Sequence, residues 1–211
     1  MGKDFGDIEV KSKYAEKYKG KVGETHRIGI IYPKVGGGPF EEGFTHYVDK
    51  HFFCKNGVCC EKKGPPDQRF ACLVVQYKTD KQGRIIQTGN TIPFDHSVKA
   101  WVVGAKKMKQ LLQKNGEFPL KSHDLMVTCE GNEDYQNLDF TPCKESVWQM
   151  KPEFKETILL QSERMRNDLK NNLGQDLSTD EIKELFGLNA AVDISNVLTN
   201  TEDVNKLLAD V

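Results

Sequence analysis

What this chain lacks narrows its class before any single residue is considered. No apolar run in the 211 residues approaches the roughly 18 positions a membrane helix needs. The opening Met1-Gly2-Lys3-Asp4-Phe5-Gly6-Asp7 has no apolar core for a secretory signal, so a cytoplasmic protein is expected. In that setting six cysteines are expected as thiols or metal ligands rather than disulfides. There is no Gly-x-Ser-x-Gly, no His-Glu-x-x-His and no dinucleotide fingerprint, and Gly36-Gly37-Gly38 is followed by neither a Lys-Ser/Thr pair nor a helix signal. A binding protein, not an enzyme, is the expectation.

An overall excess of one charge is also missing, since 30 basic and 31 acidic side chains leave a net charge of -1. The distribution is uneven. Residues 1–150 carry 23 basic and 19 acidic side chains, residues 151–211 carry 7 and 12, and residues 50–121 alone carry 14 and 5. That +9 segment suits an anionic partner or a solvated basic face. Of 19 aromatic residues, 18 lie at or before Phe154. Rings interleaved with Lys and Arg are what a single-stranded nucleic acid requires, because bases stack on rings while cations follow the phosphates.

Three regions follow: a basic N-terminal arm over 1–25, a nucleic-acid-binding domain over 26–150 and an acidic helical region over 151–211. Arg27 to Tyr32 reads as a strand ending at Pro33. Asn56-Gly57 predicts a hairpin with Cys54 on one arm and Cys59 and Cys60 on the other. The buried run Phe70 to Val75 predicts a strand that Asp80 to Gly83 turns back into Arg84 to Gln87. Val98, Trp101, Val102, Ala105, Met108, Leu111 and Leu112 recur at three- and four-residue steps, predicting one helix over 95–114. Leu125 to Thr128 and Gln136 to Thr141 predict a third hairpin about a polar turn. Beyond Pro152 the pattern is helical, with a capping box of Ser178 and Glu181 opening a helix that ends at Gly187, and a last helix from Thr201. The expected fold is mainly β with α (α+β): an OB-like barrel of about five strands with one internal helix, followed by a helical C-terminal extension.

One constellation is chemically dense. His46, His51, Cys54, Cys59 and Cys60 are five soft ligands within 15 residues, enough to place four around a tetrahedral zinc. On a strand, adjacent Cys59 and Cys60 would point to opposite sides, leaving one of them for the metal. A structural zinc and free thiols in a hairpin both fit this spacing.

The order of these signals resembles the single-stranded-DNA-binding, helix-destabilising OB-fold proteins encoded by tailed phages. The matching residues are Arg27 to Pro33, His46-Tyr47-Val48-Asp49, the Cys54, Cys59, Cys60 knuckle, Arg69 to Val75, Ser97 to Leu112, Asp124 to Gly131 and Leu138 to Pro142, spanning about 27–148. The resemblance implies zinc held by a His and three Cys. His46, Cys54 and Cys60 fall at matching places, while the family's Cys-x-x-Cys is compressed here to Cys59-Cys60. It also implies non-specific single-strand binding in a basic, aromatic cleft, and an acidic C-terminal region for partner proteins.

The expected function is a protein that coats or captures single-stranded DNA in phage replication, recombination or transcription. Tyr47, Phe53, Phe70 and Tyr77 are the candidate stacking rings. Lys55, Lys62, Lys63, Arg69, Lys78, Lys81 and Arg84 are the candidate phosphate contacts, and His46, Cys54, Cys59 and Cys60 the metal ligands. The alternative is an adaptor or transcription cofactor that recruits a phage polymerase or replication protein through the helical tail, whose apolar positions also suit pairing with a second copy. A metal-dependent nucleic-acid enzyme, for which only Asp49 and Glu61 lie near the knuckle, ranks last.

Overall fold

The computed structural model describes residues 15–88, 94–131, 136–150 and 152–188. In chain order these form β1 (Thr25–Ile30), β2 (Phe40–Tyr47), β3 (His51–Phe53), α1 (Val58–Lys63), β4 (Asp67–Tyr77), β5 (His96–Gly104), α2 (Ala105–Glu117), β6 (Leu125–Gly131) and β7 (Gln136–Pro142). Then come α3 (Val147–Met150), α4 (Pro152–Arg166), a 3-10 turn at Leu169–Asn172 and α5 (Thr179–Leu185). All strand pairings are antiparallel, in one seven-stranded sheet ordered β3-β2-β4-β1-β6-β7 with β5 also on β4.

β4 is the hub. β2 pairs with its residues 67–72 and β1 with 74–76, end to end along one edge, while β5 runs along 69–77 on the other. The path is open, with β3 and β7 as its ends. Mixed α and β with several helices therefore holds, whereas about five strands with one internal helix is corrected to seven strands with α1 and α2 among them. The outer edge of β5 is covered by the N-terminal segment: the Tyr18 N–H donates to the Ala100 carbonyl at 2.7 Å and the Ala100 N–H to that of Glu16 at 2.8 Å. Capping an edge in this way removes a template for pairing with another chain.

Burial on both faces explains the continuous apolar run of β4. Cys72 and Val74 point into a core shared with Ile28, Trp101, Met108, Leu111, Val127 and Phe140. Ala71, Leu73, Val75 and Tyr77 point into a second core closed by Trp148, Phe154, Ile158, Leu169 and Leu173. The helical segment through Leu173 is thus packed against the sheet. Buried Asp124 ties the two together, accepting from the Ser146 hydroxyl at 2.8 Å, the Val147 N–H at 3.0 Å and Arg27 Nε at 3.1 Å. Burial still pushes its carboxyl above the usual range.

Three local expectations are corrected. The single helix expected over 95–114 is β5 followed by α2: Val98, Val102 and Val103 are β-branched and Trp101 is aromatic, types that suit a pleated surface, while Ala105 to Lys114 are mostly strong helix formers. Strand β4 finds its partner in β5, not in Arg84 to Gln87. The turn at Asp80 does form, its carboxylate accepting the N–H groups of Gln82 and Arg84, but it leads only to an isolated bridge between Thr79 and Ile85. The second arm expected at Cys59 and Cys60 is helix α1. By contrast the β6–β7 hairpin forms as expected, and so does the capping box: the Glu181 N–H donates to Ser178 Oγ at 3.2 Å and the Ser178 N–H to the Glu181 carboxylate at 2.7 Å. Residues 132–135 of the expected polar turn, the helix expected from Thr201 and the first fourteen residues of the arm lie outside the described residues. Among the described residues no helix is long and apolar enough to cross a membrane.

Candidate metal centre and nucleic-acid interface

Strand alternation sorts the β2–β3 hairpin into two chemistries. His46 pairs across with Phe52, and Tyr47 with His51, so the first pair faces one side of the hairpin and the second the other. On the first side, Asn56 and Gly57 both take positive φ, 61° and 62°, which folds the chain back sharply after Cys54 and starts α1. On a helix Cys59 and Cys60 are about 100° apart, not the 180° of a strand, so both turn toward Cys54.

The outcome is a four-ligand cluster. Cys54 Sγ lies 3.7 Å from Cys59 Sγ and 3.3 Å from Cys60 Sγ, Cys60 Sγ lies 3.7 Å from His46 Nε2, and all four ligand atoms fall within 4.8 Å of one another. Thiolates held about 2.3 Å from a tetrahedral centre stand about 3.8 Å apart, close to the 3.7 Å Cys54–Cys59 separation, so the four donors could hold a metal ion. The Asn56 N–H donates to Cys54 Sγ at 3.3 Å, the kind of supporting hydrogen bond that orients a metal-bound thiolate. Burial opposes ionisation of Cys54, but that N–H and the neighbouring thiols outweigh it and hold its pKa below the ordinary value. The hydrogen bond with Cys54, then burial, pushes Cys60 up to about 11. Burial lowers His46, keeping its imidazole neutral as a ligand must be. His51, the fifth ligand proposed from sequence, is not in the cluster. It turns to the opposite side, its Nδ1 3.4 Å from the Thr45 hydroxyl.

The expected nucleic-acid residues separate. Tyr47 is 54% exposed, with its ring 4.9 Å from that of His51. Phe53 and Phe70 are half-buried against the two cores, and Lys170 Nζ sits 5.6 Å above the Phe53 ring. Tyr77 is corrected as a stacking ring: it is 1% exposed, and its hydroxyl accepts the Trp148 N–H at 2.8 Å. Lys55 is paired with Asp176, Lys78 with Asp95 and Arg84 with Asp80. Lys62, Lys63 and Lys81 are exposed and form no ion pair among the described residues. Arg69 is half-buried, and its Nη1 donates to the Leu173 carbonyl at 2.5 Å. Two further cations, Lys17 of the basic N-terminal arm and Lys50, line one cavity with Tyr47, and neither was among the phosphate contacts expected from the sequence. The adjacency of Lys50 to His51 was a readable signal, whereas the approach of Lys17 depends on the edge pairing with β5.

No protein-family model and no curated protein matches the chain. The functional reading therefore rests on the geometry of the hairpin and its surroundings.

Proposed function

We propose that this protein binds single-stranded DNA with little sequence preference, on a surface organised by a zinc-pinned hairpin. The observation that carries the proposal is the exposed ring of Tyr47 beside Lys17 and Lys50, neither of them ion-paired among the described residues, on the hairpin whose other side carries the ligand cluster. An exposed ring supplies a stacking platform, and unpaired ammonium groups supply counter-charge for phosphates. Zinc is the metal assigned to the cluster, because three thiolates and an imidazole at tetrahedral spacing suit a borderline-soft ion without geometric preference. Its role would be structural, since four protein ligands leave no open position for chemistry. The OB-like reading of the sheet belongs to the same proposal, supported by the long β4 shared among β1, β2 and β5. So do a role in phage DNA metabolism and a cytoplasmic location.

Fluorescence anisotropy of a labelled oligo-dT and its duplex, at two salt concentrations and with zinc content recorded, tests the reading. Tight, salt-sensitive preference for the single strand is expected. Equal affinity for the duplex, or no binding of either, would overturn it. The alternative, an adaptor for a polymerase or replication protein, is favoured by a separate observation: Met150 on α3 and Leu160 on α4 are exposed apolar side chains. Capture of such a partner by protein that binds no oligonucleotide would put this reading first.

A further inference from the structure

On the Tyr47–His51 side of the hairpin lies a cavity of about 670 Å³, within the size range of small-ligand sites. Three distant parts of the chain wall it: the hairpin, residues 15–17 held on the edge of β5, and residues 171–175 at the end of the 3-10 turn and just beyond it. Its charge is one-sided. Lys17 and Lys50 line it without ion pairs among the described residues, while Glu16, the one acid in the wall, is taken by Lys99 at 2.6 Å. Glu181, which feels the charge of Lys50, has its carboxylate committed to the capping box. Burial, then Arg69 and Lys19, lowers the pKa of Lys17, so these cations crowd one another with only Asp67 opposing Arg69. Such an arrangement is relieved by a bound anion.

The wall also offers a flat aromatic surface. Tyr47 and His51 form a tilted pair at 53°, with the Tyr47 face open to solvent. Asn172 is 1% exposed, and its Nδ2 donates to the Ala15 carbonyl at 2.9 Å, which ties the 171–175 stretch to the N-terminal segment. Cations and an open ring on one cavity wall together describe a site for a nucleoside phosphate.

We propose that this cavity seats one nucleotide unit of the bound strand, its phosphate held by Lys17 and Lys50 and its base stacked on Tyr47. The assignment rests on the reading of the protein as a single-strand binder and adds to it a composite site. The sheet alone does not form this site, which is complete only with the N-terminal segment and the 171–175 stretch in place.

The test uses the full zinc-loaded chain and a labelled oligo-dT of about 12 nucleotides, a length within the usual span of one binding domain. Lys17→Ala/Lys50→Ala is expected to weaken binding about tenfold or more and to lower the slope of log affinity against log salt by about 0.7, the value for one phosphate contact. Tyr47→Ala is expected to weaken it about fivefold or more, with recovery in Tyr47→Phe. Lys106→Ala/Lys109→Ala, which removes the same charge from the exposed face of α2, is the control and leaves the slope nearly unchanged. Unaltered zinc content and circular dichroism show that each variant is folded. If the wild type binds the oligonucleotide and the Lys17/Lys50 pair behaves like the control, the cavity assignment falls while the single-strand reading stands. If the wild type binds no single strand, both fall. Displacement of the oligonucleotide by an equal concentration of thymidine 5′-monophosphate would make the ligand a free nucleotide and overturn the assignment to a strand.

Discussion

The two ends of this molecule are held by different forces. Around β4, two apolar cores close on opposite faces of the sheet, and side chains such as Leu73, Val75, Ile28 and Ile158 are fully buried. At the hairpin end the core shrinks to Phe52, Cys59 and Ile182, with a few half-buried neighbours. That end buries less apolar surface than the sheet, and it carries instead the ligand cluster and the capping box of α5. The difference teaches that the surface proposed to touch DNA is the part on which a metal in the ligand cluster would act most, whereas the two large cores lie around β4.

Metal removal gives the largest expected effect and the sharpest contrast. Structural zinc contributes about 10–16 kcal/mol of apparent binding free energy in small domains. Stripping it with a chelator is expected to erase hydrogen-exchange protection over 44–63 and 175–186 while protection in 71–77 and 98–103 survives. Cys54→Ser should lower zinc affinity by more than about 100-fold, the upper end for loss of a mere supporting hydrogen bond. Uniform loss of protection across the chain would break the comparison.

Leu73→Ala tests the other end. Truncating a fully buried leucine costs about 2–5 kcal/mol, so denaturant melts should shift globally while zinc stoichiometry stays at one. Gly29→Ala probes the junction of sheet and helices. A Cβ there would stand 2.6 Å from Asp124 Oδ1 and 2.7 Å from the Trp148 ring, so a loss of about 1–3 kcal/mol is expected, read in the same melts. Ser178→Ala removes the α5 cap, at a cost of about 1 kcal/mol. Because Ile182 packs on Cys59, the loss should show as faster zinc release to a chelator.

The last test is a pH dependence. Burial first, then the charges of Arg69 and Lys17 against that of Asp67, pushes His51 down to about 4 from 6.5. The unfolded chain therefore binds a proton that the native state refuses between these values. The His51 contribution to stability is complete above about pH 6.5 and is lost as pH falls toward 4. His51→Gln should flatten that part of the melting-temperature profile relative to wild type, and identical profiles would remove His51 as its source.

Local signals were readable where chemistry and chain neighbours coincide. The β4 run from Phe70 to Val75, the β6–β7 hairpin, helix α4 and the Ser178–Glu181 box each follow from periodicity or capping within a dozen residues. The ligand set His46, Cys54, Cys59 and Cys60 was legible as composition, but its geometry was not: a hairpin arm would have split Cys59 from Cys60, and only the turn at Asn56-Gly57 into α1 reunites them. Val98 to Ala105 satisfied a helical spacing because a strand buried on both faces also places apolar residues at three- and four-residue steps. Tyr77 carried no sign of burial, since the Trp148 N–H that occupies its hydroxyl lies 71 positions away.

The sequence by itself determined that this is an α and β protein with a basic, aromatic body, and that one short segment holds the donors for a soft metal. Tertiary structure alone decided which strands pair, which rings reach solvent and which cations share a cavity. The physical reason is range. Capping, turns and ligand spacing act over a few residues, whereas the approach of Lys17, Tyr47 and Asn172 depends on β5, the hairpin and the 3-10 turn docking on one sheet, and no local pattern encodes that.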